Sequence, residues 1–331
     1  MGSDWSQEDY DRVSLVAYED SLQQPGLFPD VGIDESLLKY SGLNSAAALQ
    51  SYFDELIDNV PGYFEKLVSV FGELTSVPHA VGLGALVIST ILDICIKSTR
   101  QSSVDSYSML RRVFGEEKAS AVRDTMSEYL KRHRIYINNE QRLLKDLRTL
   151  ELQLSGHLTT LRNSLLYDGQ MSSRGFKIWV NGASFHVQML IHEARLKTQA
   201  GERESDYVSI SNAIDVYVQD LDELLEKYKT YRTSTTKTGG RAGIPMYGIE
   251  RECHLQNTET GCEYKLRQTD FCCYGIVGFS DEQPNMIKAY VNHVFSKYEP
   301  IASLRSHFSN IKNNLNSLIN QHDSFTLPPR T

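Results

Sequence analysis

The chain has 331 residues, 40% of them hydrophobic and 23% charged, with a formal net charge of −8. That length suits one large or two ordinary domains, and the apolar content excludes wholesale disorder. The negative balance argues against nucleic acid as a main partner, and five cysteines, an odd number, do not make a closed disulfide framework.

Residues 1–44 read as an acidic, partly irregular N-terminal arm punctuated by Pro25, Gly26, Pro29 and Gly32. Residues 1–58 hold twelve acidic residues against Arg12 and Lys39, a balance of −10, so the remainder (32 basic, 30 acidic) carries +2. The acidity therefore belongs to this section, either as a solvated arm or as a mask for a basic or membrane-facing surface. The start MGSDWSQEDYDRV has no basic stretch followed by an apolar one. The expected localisation is soluble cytoplasmic or leaderless-secreted, with conditional membrane association.

From 45 to 320 the pattern predicts one elongated helical-bundle domain of mainly all-α class. Leu49, Tyr52, Phe53, Leu56, Ile57 and Val60 share a helical face after Asn44, an N-cap, and Pro61-Gly62 interrupts it. A second amphipathic piece follows with Tyr63, Phe64, Leu67, Val68 and Phe71. From Leu74 to Leu92 (LTSVPHAVGLGALVISTIL) no Asp, Glu, Lys or Arg occurs. Pro78 suits a first helical turn, so an apolar helix is predicted over 79–97. Eighteen residues at the α-helical rise span roughly 27 Å, close to the roughly 30 Å of bilayer hydrocarbon. Gly82, Gly84 and Ala85 permit close helix contact, Asp93 interrupts the far end, and Lys97 and Arg100 suit a polar interface. Two readings follow: a membrane-inserting segment presenting Val81, Leu83, Leu86, Val87, Ile88, Ile91 and Leu92, or a permanently buried central helix.

A long helix is expected from 116 to 167, broken at most around Ser155-Gly156, with Leu147, Leu150, Leu154, Leu158, Leu161 and Leu165 forming a packed seam. Asp168-Gly169 ends it with turn chemistry. Residues 172–200 read as another helix, with Trp179, Ala183, His186, Leu190 and Leu196 partly on one side. Between Tyr207 and Tyr231 the set Tyr207, Ile210, Ile214, Tyr217, Leu221, Leu224, Tyr228 and Tyr231 alternates steps of three and four, opposite a charged face. Short turns between such helices predict antiparallel neighbours. Residues 233–248 read as a flexible polar loop. Residues 249–279 form a small β-hairpin or tongue with strands near 250–256 and 263–277, joined by Asn257–Gly261. The chain returns to helix from 284 to 320, where Ile301, Leu304, Phe308, Ile311, Leu315 and Leu318 make a last seam, and 321–331 is a flexible tail.

No catalytic constellation emerges, so the protein reads as non-enzymatic, without cofactor, metal or small-molecule substrate. His192-Glu193 begins like a helical zinc-protease motif, but position 196 is Leu rather than His. Lys237-Thr238-Gly239-Gly240 lacks the earlier glycine and the lead-in strand of a phosphate loop. The histidines are scattered and read as ordinary surface or core residues. Cys253, Cys262, Cys272 and Cys273 fall together in the non-helical region as a disulfide or thiol cluster; their spacing lacks the C-x-x-C pair of a zinc site. Asp220, Asp222, Glu223 and Glu226 read as a solvating face.

Over roughly 45–320 the long helices, the apolar segment and the small apolar β-element resemble the α-helical pore-forming toxins of the cytolysin A and haemolysin E type. The stretch Val81-Gly82-Leu83-Gly84-Ala85-Leu86, ahead of long helices, also resembles the rapunzel family of fish proteins. The first resemblance implies a soluble form that hides an apolar helix, a lipid membrane as conditional partner, and a homo-oligomer. The alternative is a non-enzymatic scaffold using its heptad-like seams, with the apolar helix as core.

Overall fold

The computed structural model describes residues 6–31, 113–136, 140–199, 206–243, 250–267 and 283–320. The described residues are mostly helical, with a small three-stranded antiparallel sheet. Among the described residues it forms two compact units, one of 6–29 and 225–302, the other of 30–31, 113–224 and 303–320.

The first unit opens with α1 (Gln7–Ser21), inside the arm expected to be partly irregular. Local chemistry explains it: Ser6 Oγ accepts from Asp9 N–H at 3.2 Å, and Asp9 Oδ2 accepts from Ser6 N–H at 3.1 Å, a reciprocal capping box. Ser6 Oγ–H also donates to Asp9 Oδ2 at 2.7 Å, and this bond together with the one from Ser6 N–H holds Asp9 below its ordinary range. Tyr10, Val13, Ala17 and Tyr18 bury one face of α1, and a 3₁₀ turn at Pro25–Leu27 brings Leu27 and Phe28 into the same core. After Thr235 the chain passes directly into β1 (Thr236–Gly243), then β2 (Glu250–Asn257) and β3 (Cys262–Leu266), in sheet order β1-β2-β3. The register sets Thr236 opposite Asn257 and Asn257 opposite Cys262. β1 corrects the expectation of a polar loop over 233–248. Its sequence TKTGGRAG has no apolar alternation, and its extended form comes from backbone pairing with β2 along all eight residues.

α6 (Gln283–Lys297) packs against α1: Ser14 Oγ donates to the Met286 carbonyl at 3.0 Å, and Ser21 Oγ lies 3.0 Å from Tyr290 OH. Phe28 meets Tyr298 at 4.8 Å between centroids and Tyr18 edge-on at 5.9 Å. α7 (Glu299–Ala302) completes this unit.

The second unit contains α2 (Val113–Ile135), α3 (Glu140–Leu166), α4 (Ser173–Gln199), the first part of α5 (Tyr207–Thr235), α8 (Leu304–Asn313) and α9 (Leu315–Ile319). The expected long helix over 116–167 is two helices, α2 and α3, with the break at Tyr136 rather than Ser155-Gly156. They run antiparallel, because Lys118 meets Asp168, Thr125 meets His157 and Arg132 meets Asp146. Folding back buries α2's Val122, Met126 and Tyr129 together with the leucine seam of α3, which one straight helix would leave half-covered. Gly169, at φ +67°, closes the α3 turn in the left-handed region that glycine enters without strain.

α4 returns antiparallel to α3, with Leu158 beside Gly182 and Arg148 bonded to Glu193. A methyl at Gly182 would lie 2.6 Å from Val122 Cγ1 and 2.7 Å from Leu158 Cδ2, so glycine is what lets α2, α3 and α4 approach here. α5 and α8 are joined by Asp215–Lys312 at 2.6 Å, Asp222–Arg305, and a Tyr217–Phe308 ring contact. All six seam residues of α3 are buried, as are Ile301, Leu304, Phe308, Ile311, Leu315 and Leu318 of the C-terminal seam. On α5, Ile210, Ile214, Tyr217, Leu221, Leu224 and Tyr228 are buried, while Tyr207 and Tyr231 are half-buried.

Candidate functional site

The membrane-inserting set Val81, Leu83, Leu86, Val87, Ile88, Ile91 and Leu92 lies outside the described residues, as do Cys95, Cys272, Cys273 and the amphipathic pieces of 45–71. Among the described residues, no helix is long and apolar enough to cross a membrane, and no group of three His, Cys, Asp or Glu side chains could hold a metal ion.

Two of the four clustered cysteines are described, and they differ. Cys253, on the central strand, is fully buried and disulfide-bonded, to a partner other than Cys262. Cys262 is a free thiol on the edge strand, half-buried beside Gly26, where its Sγ accepts from Gln24 Nε2 at 3.4 Å. His254 follows Cys253 on the strand and so faces the other side of the sheet, where it pairs with Glu263 at 3.1 Å.

The described residues assemble their densest chemistry on α4. From Phe176 to Ala194 this helix is buried over almost its whole circumference, yet it carries Asn181, Ser184, His186, Gln188 and His192. His186 Nε2 lies 2.7 Å from Glu151 Oε1 on α3, and its Nδ1 lies 2.9 Å from Tyr217 OH on α5. A carboxylate only accepts, so Nε2 carries the proton, and in neutral His186 the Nδ1 lone pair accepts from Tyr217 O–H. His192 Nδ1 lies 2.9 Å from Tyr129 OH on α2, and His157 Nδ1 on α3 lies 2.9 Å from Thr125 Oγ1 on α2. Because Thr125 already donates to the Ala121 carbonyl at 2.8 Å, His157 donates to it.

Three histidines thus each join a hydroxyl on a neighbouring helix, and together they link α2, α3, α4 and α5. Burial raises the Tyr217 phenol, with Glu151 and Asp220 adding to the effect. Burial likewise raises Tyr129 well above its ordinary value, with Glu193 contributing. Both hydroxyls are held protonated, as hydrogen-bond donors or acceptors rather than phenolates. Tyr129, His186, His192 and Tyr217 are buried, and the network ties the helices of the bundle to one another.

Of the acidic residues of α5 expected to be solvating, Glu226 is exposed, while Asp220, Asp222 and Glu223 pair with basic residues of neighbouring helices. Arg162 of α3 meets both Asp220, at 2.6 Å, and Glu223. Burial nonetheless raises Asp220, outweighing the lowering effect of the guanidinium. Tyr217 and His186 were each visible as members of helical seams, but their pairing with Glu151 crosses three helices and leaves no spacing signal.

No protein-family model, curated protein or solved structure matches this chain.

Proposed function

We propose that this protein is a membrane-inserting, pore-forming or membrane-remodelling helical bundle that covers an apolar helix in its soluble state and exposes it on meeting lipid. The observation that carries the proposal is the run Leu74–Leu92, free of Asp, Glu, Lys and Arg in a chain otherwise dense in charge. Such a run must be kept from water, and a bundle of amphipathic helices is an environment able to cover it. In this reading the bundle is elongated, residues 79–97 form the hidden helix, and copies of the chain assemble around the lipid-inserted segments.

The exchange proceeds when bilayer burial and oligomer contacts together exceed the intramolecular packing that is lost. Asp93 at mid-bilayer would cost about 2.5–3.5 kcal/mol on insertion scales, which favours a position at the interface or on a wet pore wall. Lipid is the partner; no catalytic group is invoked.

Liposome flotation followed by dye leakage tests the reading. The wild-type chain is expected to float with vesicles and release dye, and Leu86→Asp or Ile88→Asp to abolish release while leaving the helical signal intact. A folded protein that releases no dye from any lipid mixture would defeat it. If the same substitutions instead unfold the protein, the segment is permanent core and the scaffold reading takes its place.

A further inference from the structure

Hydroxyls on the helices of this protein usually bond back to the carbonyl one turn earlier. Thr125, Thr149, Thr159, Thr160, Thr198, Thr230 and Thr233 all do so, at 2.8–3.2 Å. Ser184, in the middle of α4, does not. Its Oγ is buried, the residue being 1% exposed, and it has no hydrogen-bond partner. Gln188, one turn further on and 2% exposed, has a buried Oε1 in the same condition.

Residues four apart on a helix stand side by side on one face, so these are two orphaned oxygens on one strip of surface. The contacts of α4 with α2 and α3 do not engage either oxygen. Gly182, Phe185 and His192 take the contacts with Val122 and Tyr129, and His186 and Glu193 take those with Glu151 and Arg148. Protein interiors rarely leave two adjacent polar atoms without partners, and the usual resolution is an ordered water with two or more polar contacts.

We infer that Ser184 and Gln188 form the seat of an internal water molecule on α4. The water donates one hydrogen to Gln188 Oε1 and meets Ser184 Oγ with its second hydrogen or a lone pair. Either arrangement satisfies the serine, which can donate or accept. The seat belongs to the folded bundle and is independent of whether the protein inserts into membranes.

A crystal structure of the full chain tests this directly. The expected result is a solvent peak within hydrogen-bond distance of both oxygens, lost in the Ser184→Ala/Gln188→Met double variant. No peak, or a protein atom bonded to either oxygen in its place, overturns the inference. Gln188→Met alone gives an independent check by chemical denaturation, because methionine matches the shape of glutamine without its amide. A hydrated seat predicts a lower unfolding midpoint than wild type, as the water and Ser184 lose their partner. A dry, orphaned amide predicts a higher midpoint, and that rise would also overturn it.

Discussion

α3 and α4 are neighbouring helices of 27 residues each, and they are buried on different principles. α3 is amphipathic: its leucine stripe faces inward, while Thr149, Leu152, Gln153, Thr159 and Thr160 face water. α4 is enclosed nearly all round and holds two histidines, a glutamine, an asparagine and a serine inside. A leucine stripe tolerates small shifts of its partners because apolar contact is non-directional. An enclosed polar side chain needs one donor or acceptor at one place. α3 thus contributes burial, and α4 contributes the registration of its neighbours.

The sharpest way to break this comparison is to remove apolar volume from α3. Leu154→Ala, at a fully buried seam position, is expected to cost about 2–5 kcal/mol in chemical denaturation with little change in slope. Next, His186→Leu on α4 strands the Tyr217 hydroxyl and the Glu151 carboxylate and is expected to cost about 2–3 kcal/mol. A cycle with Tyr217→Phe should show a coupling of about 1 kcal/mol; strict additivity would mean that the histidine acts as filler.

Alkaline pH separates polar from apolar burial. Burial pushes the Tyr290 phenol of the other unit up to about 12, and raises Tyr129 and Tyr217 beside α4. A folded-state value above the unfolded one means stability fully present below about pH 10 and lost as pH rises through the folded value. For Tyr290 that window runs from about 10 to about 12 and amounts to roughly 2–3 kcal/mol, read by tyrosinate absorbance alongside circular dichroism. Tyr290→Phe should remove its share of the slope, while Leu154→Ala should lower stability equally at every pH. The smallest effect belongs to the exposed Asp215–Lys312 pair, where Asp215→Asn should cost at most about 0.5–1 kcal/mol and less at high salt.

Much of the helical half of the fold was legible. Leu147 to Leu165, Ile210 to Tyr228 and Ile301 to Leu318 repeat at steps of three and four, and those steps are the geometry of a helix face, so burial follows from spacing. The turns at Asp168-Gly169 and Asn257–Gly261 were legible for the same local reason. The α2–α3 break at Tyr136 was less so, since no proline or glycine marks it and the gain lies in contacts between the two halves. α1 carried a readable capping box, but its short apolar face gains its burial from α6, 272 residues away by way of Ser14 and Met286.

Sequence by itself determined which residues are apolar at helical period, where the uncharged run Leu74–Leu92 falls, and which turns can form, because these depend on neighbours within a few residues. Tertiary structure alone decided that TKTGGRAG is a strand, that the α5 carboxylates clasp Arg162, Arg305 and Lys312, and that Tyr217, His186 and Glu151 form one chain of bonds. Hydrogen bonds and ion pairs are directional and can join residues at any separation. Their partners are chosen by the packing of whole helices and strands, which no local pattern records.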